Sequence, residues 1–218
     1  AGLKSVFSDE DPENAPRPSA FSQCPLLAHI EMRGDSETFT VKDDALIFHD
    51  GAYEVLIVYA AHKDAEEYVM PENVNVVAPG AFYQASQMPD GSPVTNSLKR
   101  IQSSPNLICI GSLAFQYTIS IESITLPLTL KYIYQSAFDG VTGLKDVYYE
   151  GTEFDHAQIE VQGGNDVLSN ATWHYESLGP DVSPTATPEP TPIEPDPTAV
   201  PTSTPKPTDP PTPDPTST

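Results

Sequence analysis

Four Ala-Phe pairs, at Ala20-Phe21, Ala81-Phe82, Ala114-Phe115 and Ala137-Phe138, recur inside one apolar frame. From Ala114 to Ala137 the step is 23 residues. With Phe115 as zero, apolar residues follow at +6 (Ile121), +9 (Ile124), +11 (Leu126), +15 (Leu130) and +18 (Ile133), with Pro127 at +12. Leu144, Val147 and Tyr149 take the +6, +9 and +11 places after Phe138, and Leu27, Ile30 and Met32 take them after Phe21. Val77, Val74 and Pro71 precede Phe82 at the offsets that Ile133, Leu130 and Pro127 hold before Phe138. Self-similarity at a short fixed period specifies stacked coils, because one such unit cannot bury its apolar side alone.

The period falls within the roughly 20–29 residues of leucine-rich repeats. The expected fold is therefore a leucine-rich-repeat solenoid, mainly β with short irregular or helical segments. Residues at +9 and +11 are two apart and share one face of a strand. The proline after them ends pairing on that strand. The Ala-Phe pair sends one small and one large side chain inward, where successive layers interdigitate.

The spacing is interrupted twice. Tyr83 to Ser97 contains Pro89-Asp90-Gly91-Ser92-Pro93 and reads as an inserted surface loop. Between Ala20 and Ala81, the apolar runs Ala45–His49 and Val55–Ala60 flank Asp50-Gly51, which reads as a hairpin in an expanded repeat over about 33–70. Gly2-Leu3-Lys4-Ser5-Val6 parallels Gly143-Leu144-Lys145-Asp146-Val147, so the chain is expected to open inside a repeat, as a fragment of a longer array.

From Pro180 onward the chain is Pro-Thr-rich, with 14 of the 24 prolines, and reads as a disordered linker over 179–218, with the repeat domain over 1–178. The net charge is −21, of which −5 lies in that tail and −16 before it. Such acidity argues against nucleic acid and against anionic lipid as partners. No run of about 18 apolar residues is present to span a membrane. Cys24 and Cys109 stand at different repeat offsets, so they are expected to be small buried fillers and not a disulfide.

The Phe21–Leu27 segment and the Ile-x-Leu-Pro-x-x-Leu-x-x-Ile-x-x-x-Ala-Phe run from Ile124 to Phe138 resemble BspA-type leucine-rich repeats. Phe39 to Phe82 is similar to the longer repeat variant of that family. Val147–Thr152, Gly164–Leu168 and Asn170–Thr172 resemble the terminal unit that closes many such arrays, placed at about 147–176. The resemblance implies a secreted or surface-displayed protein of a Gram-positive, gut-associated bacterium, in a family linked to adhesion and protein binding. Two departures stand out: Ser104 occupies a usual proline position, and Phe154 stands near where a tryptophan is common.

No metal-binding His-x-x-x-His, nucleophile elbow, Walker loop or dinucleotide fingerprint occurs, so no cofactor, metal or catalytic residue is expected. The acid pairs Asp43-Asp44 and Glu66-Glu67 read as solvated faces, and Asp9–Asn14 as an acidic loop more than a calcium site. The places to look for a ligand are the outward positions at +8 and +10 of each strand: Ser5 and Phe7, His29 and Glu31, Glu67 and Val69, Arg100 and Gln102, Ser123 and Thr125, Asp146 and Tyr148. Of these Phe7, His29, Glu31, Arg100, Gln102, Thr125, Asp146 and Tyr148 are the ligand-binding candidates, the aromatics being favoured interface anchors. The expected function is a non-enzymatic, extracellular or cell-surface module, monomeric, for binding a protein or glycoprotein. Alternatives are an accessory domain tethered to a catalytic module of a larger secreted enzyme, and a structural spacer.

Overall fold

The structure, a computed structural model, describes residues 24, 26–49, 51–60, 62–83 and 97–179. All of them lie in one compact unit, Ala1–Val182; the second unit, Ser183–Thr218, lies outside them. The first Ala-Phe pair, Phe7, the acidic segment Asp9–Asn14, loop residues 84–96 and the Pro-Thr tail are also outside the described residues.

The chain winds between two sheets. After β1 (Phe39–Lys42) and β2 (Ala45–His49), the strands alternate: β3 (Glu54–Tyr59), β4 (Glu67–Val69), β5 (Val76–Val77), β6 (Arg100–Gln102), β7 (Cys109–Ile110), β8 (Ser123–Leu126), β9 (Tyr132–Ile133) and β10 (Asp146–Tyr149). The last turn adds helix α1 (Glu153–His156), β11 (Glu160–Val161), helix α2 (Asp166–Asn170) and β12 (Thr172–Tyr175). Strands β4, β6, β8, β10 and β12 form a five-stranded parallel sheet. The odd strands from β3 to β11 form a second parallel array, extended at one edge by the antiparallel β2 and β1. The result is a mainly β leucine-rich-repeat solenoid.

The apolar frame is the core. Ile101, Ile124 and Val147 at +9, Leu126 and Tyr149 at +11, and Leu107, Leu130, Ile110 and Ile133 are all buried. The three described Ala-Phe pairs are buried too, and the rings stack from coil to coil, Phe82 on Phe115 at 4.8 Å and Phe115 on Phe138 at 5.0 Å. At the upstream end Tyr59 and Tyr68 continue the stack, and burial pushes the Tyr59 hydroxyl up to about 12.

Backbone hydrogen bonds tie each coil to the next at the same place. The amides of Tyr59, Phe82 and Phe115 donate to the carbonyls of Ala81, Ala114 and Ala137. At Phe138 no further Ala-Phe pair follows, and its amide donates to the side-chain Oδ1 of Asn165 at 3.0 Å. Asn165 Nδ2 in turn donates to the carbonyls of Tyr134 and Gln162. A buried amide side chain thus replaces the missing backbone carbonyl and leaves no polar group there unmet. Ser104, in the proline position, works by a different device: its hydroxyl donates to Glu72 O and accepts from Asn106 N, closing the turn.

Two expectations need correction. Cys109 is a buried filler, its thiol pushed up to about 12 by burial, but Cys24 is exposed; both are free. Asp44 is no solvated acid. Asp43 and Asp44 both have positive φ (51° and 62°) in the two-residue turn between β1 and β2, the geometry of a primed hairpin turn. The Asp44 side chain is only 12% exposed and meets Lys63 Nζ, the Ile30 amide and His29. Burial alone would raise its carboxyl; those three donors outweigh burial and hold it below the usual value.

Candidate functional site

The five-stranded sheet turns one face to the core and the other outward. Because its strands are parallel and in register, equivalent side chains line up across it. One outward row reads Glu67, Arg100, Ser123, Asp146 and Thr172, and the next Val69, Gln102, Thr125, Tyr148 and His174. Arg100, Gln102, Thr125, Asp146 and Tyr148, all expected at such positions, are brought together here, each partly exposed.

His29 and Glu31 do not join them. Residues 27–33 form no strand, and β4 is the edge of the sheet. His29 turns instead to Asp44, and the Leu27 carbonyl accepts from the His62 amide. The apolar matches at Ile30 and Met32 mimic the frame, but the hairpin that follows diverts the segment toward the β1–β2 turn. Phe7 lies outside the described residues.

Sequence reasoning missed Thr172 and His174. Their strand belongs to the terminal unit, where the Ala-Phe pair is absent and the frame cannot be counted. The available signal was the alternation Thr172-Trp173-His174-Tyr175, which matches Asp146-Val147-Tyr148-Tyr149 residue for residue in the observed pairing.

Charge on this side is arranged in alternation. Glu66, Lys99, Glu122 and Lys145 precede the four strands at one offset, with Lys99 Nζ 2.8 Å from Glu66 and Lys145 Nζ 2.9 Å from Glu122. The hydrogen bond from Lys99 lowers the Glu66 carboxyl, that from Lys145 lowers Glu122, and Glu66 raises Lys99. Arg100 sits 3.7 Å from Glu67 on the outward row itself. At the far end the Tyr148 and His174 rings stack at 4.6 Å, and His174 Nε2 lies 2.8 Å from Asp146 Oδ1. This surface offers mixed hydrogen-bonding groups, paired charges and one flat aromatic platform. Among the described residues no group of three or more His, Cys, Asp or Glu side chains could hold a metal ion.

Behind the platform, and not on it, His156 of α1 stacks on Trp173 at 3.8 Å, its Nδ1 2.9 Å from the Tyr175 hydroxyl. Burial lowers the His156 imidazole from its ordinary value. This cluster closes the end of the solenoid.

A family match agrees with the repeat architecture. The family described as BspA type Leucine rich repeat region matches residues 58–155, in six copies. No curated protein matches. Among solved structures, a leucine rich cell surface protein from Faecalibacterium prausnitzii is 18% identical, with a TM-score of 0.37, covering 60% of this chain and 44% of its own. The pneumococcal vaccine antigen PcpA is 19% identical, with a TM-score of 0.43, covering 68% of this chain and 39% of its own. The chain therefore spans less than half the length of either. With the coils, their register and the stacked Ala-Phe pairs all in place, residues 58–155 are a BspA-type leucine-rich repeat region.

Proposed function

We propose that this repeat region is a non-enzymatic module of an extracellular or cell-surface protein, and that it binds a protein or glycoprotein through the outward face of the five-stranded sheet. The observation that carries the reading is the register, which sets Arg100, Gln102, Thr125, Asp146, Tyr148 and His174 side by side on one rigid surface. Solenoid repeats characteristically bind through such extended faces. The described residues hold no helix long and apolar enough to cross a membrane, and a net charge of −21 disfavours nucleic acid as the ligand.

The test is capture of extracellular-matrix and mucosal proteins by the purified chain, beside the variants Arg100→Glu and Tyr148→Ala. Specific capture at micromolar concentration, weakened at least ten-fold in both variants, supports the reading. Equal capture by the variants, or none by the parent, defeats it.

A further inference from the structure

A groove of about 170 Å³ crosses the ends of the ladder strands where their chains turn away. Val69, Met70, Pro105 and Leu178 give it apolar walls and Gln102, Ser103 and Thr125 polar ones; among the described residues its charged groups are Glu72 and Glu150, with no lysine or arginine. It is smaller than the roughly 300–1,000 Å³ of sites that take whole small molecules. It has room for one long side chain.

The Ser103 hydroxyl makes this more than an acidic crevice. Ser103 is 7% exposed, and its buried Oγ has no hydrogen-bond partner among the described residues. A buried hydroxyl left unmet costs stability, whereas its neighbour Ser104, equally enclosed, is fully bonded. The groove is thus lined by two glutamates, Gln102 and Thr125 beside an apolar wall, with the unmet Ser103 hydroxyl buried at its edge. That set suits a ligand with many donors, no acceptor and an apolar stem, which describes lysine and arginine. An anion would meet two like charges. A neutral apolar side chain would leave the buried Ser103 hydroxyl unmet.

We propose that this groove is a specificity pocket for a basic side chain, lysine or arginine, presented by an extended segment of the protein partner. The inference rests on the binding role proposed above and adds to it, because Gln102 and Thr125 belong to both the pocket and the outward row. The stem lies along Val69, Met70, Pro105 and Leu178, and the cationic head meets Glu72 and Glu150. One Glu150 oxygen already accepts from the Leu128 amide, so Glu72 is the carboxylate freer to serve the ligand. The strongly acidic chain draws a basic segment in from a distance.

The experiment titrates the full chain, followed by amide NMR, with four blocked tripeptides, Gly-X-Gly, in which X is arginine, lysine, citrulline or norleucine. Expected are shifts at Val69, Gln102, Ser103 and Thr125 for arginine or lysine, with dissociation constants on the order of 1 mM, and at least five-fold weaker response to citrulline and norleucine. Glu72→Gln is expected to weaken the basic peptides roughly five-fold, and Glu72→Lys to abolish their shifts, with unchanged far-UV circular dichroism in both. No shift with either basic peptide, citrulline equal to arginine, or Glu72→Gln equal to the parent overturns the pocket. Those outcomes leave the outward face standing if protein capture still depends on Arg100 and Tyr148. Loss of capture dependence with intact peptide binding defeats the face and keeps the pocket.

Discussion

At the scale of single residues, Gly143 shows how closely the coils approach. A Cβ there would strike the Ile119 carbonyl oxygen and stand 2.8 Å from that of Ile121. These are backbone atoms fixed by the turn, so Gly143→Ala is expected to cost about 1–3 kcal/mol, read as a lower urea midpoint with an unchanged slope. His156 makes a second prediction. Its imidazole is lowered by burial, so the folded state holds a proton there less readily than the unfolded chain. Its contribution is complete above about pH 6.5 and is lost as pH falls from there through the lower folded value. Trp173 is the chain's one tryptophan and stacks on this ring. Its emission is expected to titrate with a midpoint below about 6.5, and the titration to vanish in His156→Phe. Little of this was legible beforehand. A sequence gives the spacing of His156 and Trp173 but not their stacking, and it shows Asp44 as one acid of a pair, without the Lys63, Ile30 and His29 groups that fold onto it.

At the scale of elements, legibility followed periodicity. Where two Ala-Phe pairs bracket a coil, counting from Phe115 or Phe138 placed buried Ile124, Leu126, Val147 and Tyr149 and outward Thr125 and Tyr148. It failed upstream, where Ile30 and Met32 fit the count but the chain turns to the β1–β2 hairpin, whose first strand was not foreseen. It also failed downstream, where Asn165 supplies by side chain what Ala81, Ala114 and Ala137 supply by backbone. Asn165→Ala removes three hydrogen bonds, two of them buried, and is expected to cost about 3 kcal/mol, with hydrogen exchange rising first in residues 159–175. Phe115→Ala, which opens the middle of the ring stack, is expected to cost about 3–5 kcal/mol and to accelerate exchange in the coils on both sides. If the two variants gave the same exchange pattern, the coil-by-coil picture would fail.

At the scale of the molecule, the dominant quantity is charge. Residues before the Pro-Thr tail carry a net −16 even with the lysines of the Glu66–Lys99 and Glu122–Lys145 row counted. Like charges spread over a thin solenoid repel one another at low salt. Raising sodium chloride from about 10 mM to about 150 mM shortens the screening length from about 30 Å to about 8 Å. The melting temperature is expected to rise over that range in calorimetry, whereas stability governed by the surface ion pairs would fall.

The substitution of an asparagine amide for the Ala carbonyl at the end of the stack also makes length an adjustable quantity. Nothing in the bonds of Asn165 depends on how many coils precede Phe138, only on the last one being of standard form. A second copy of residues 116–138 spliced in after Phe138 would meet the same terminus and lengthen the face by about 4.8 Å, one strand spacing. The protein is in this sense a ruler with a detachable end-stop, whose span toward a partner can be reset in fixed increments without redesigning either end.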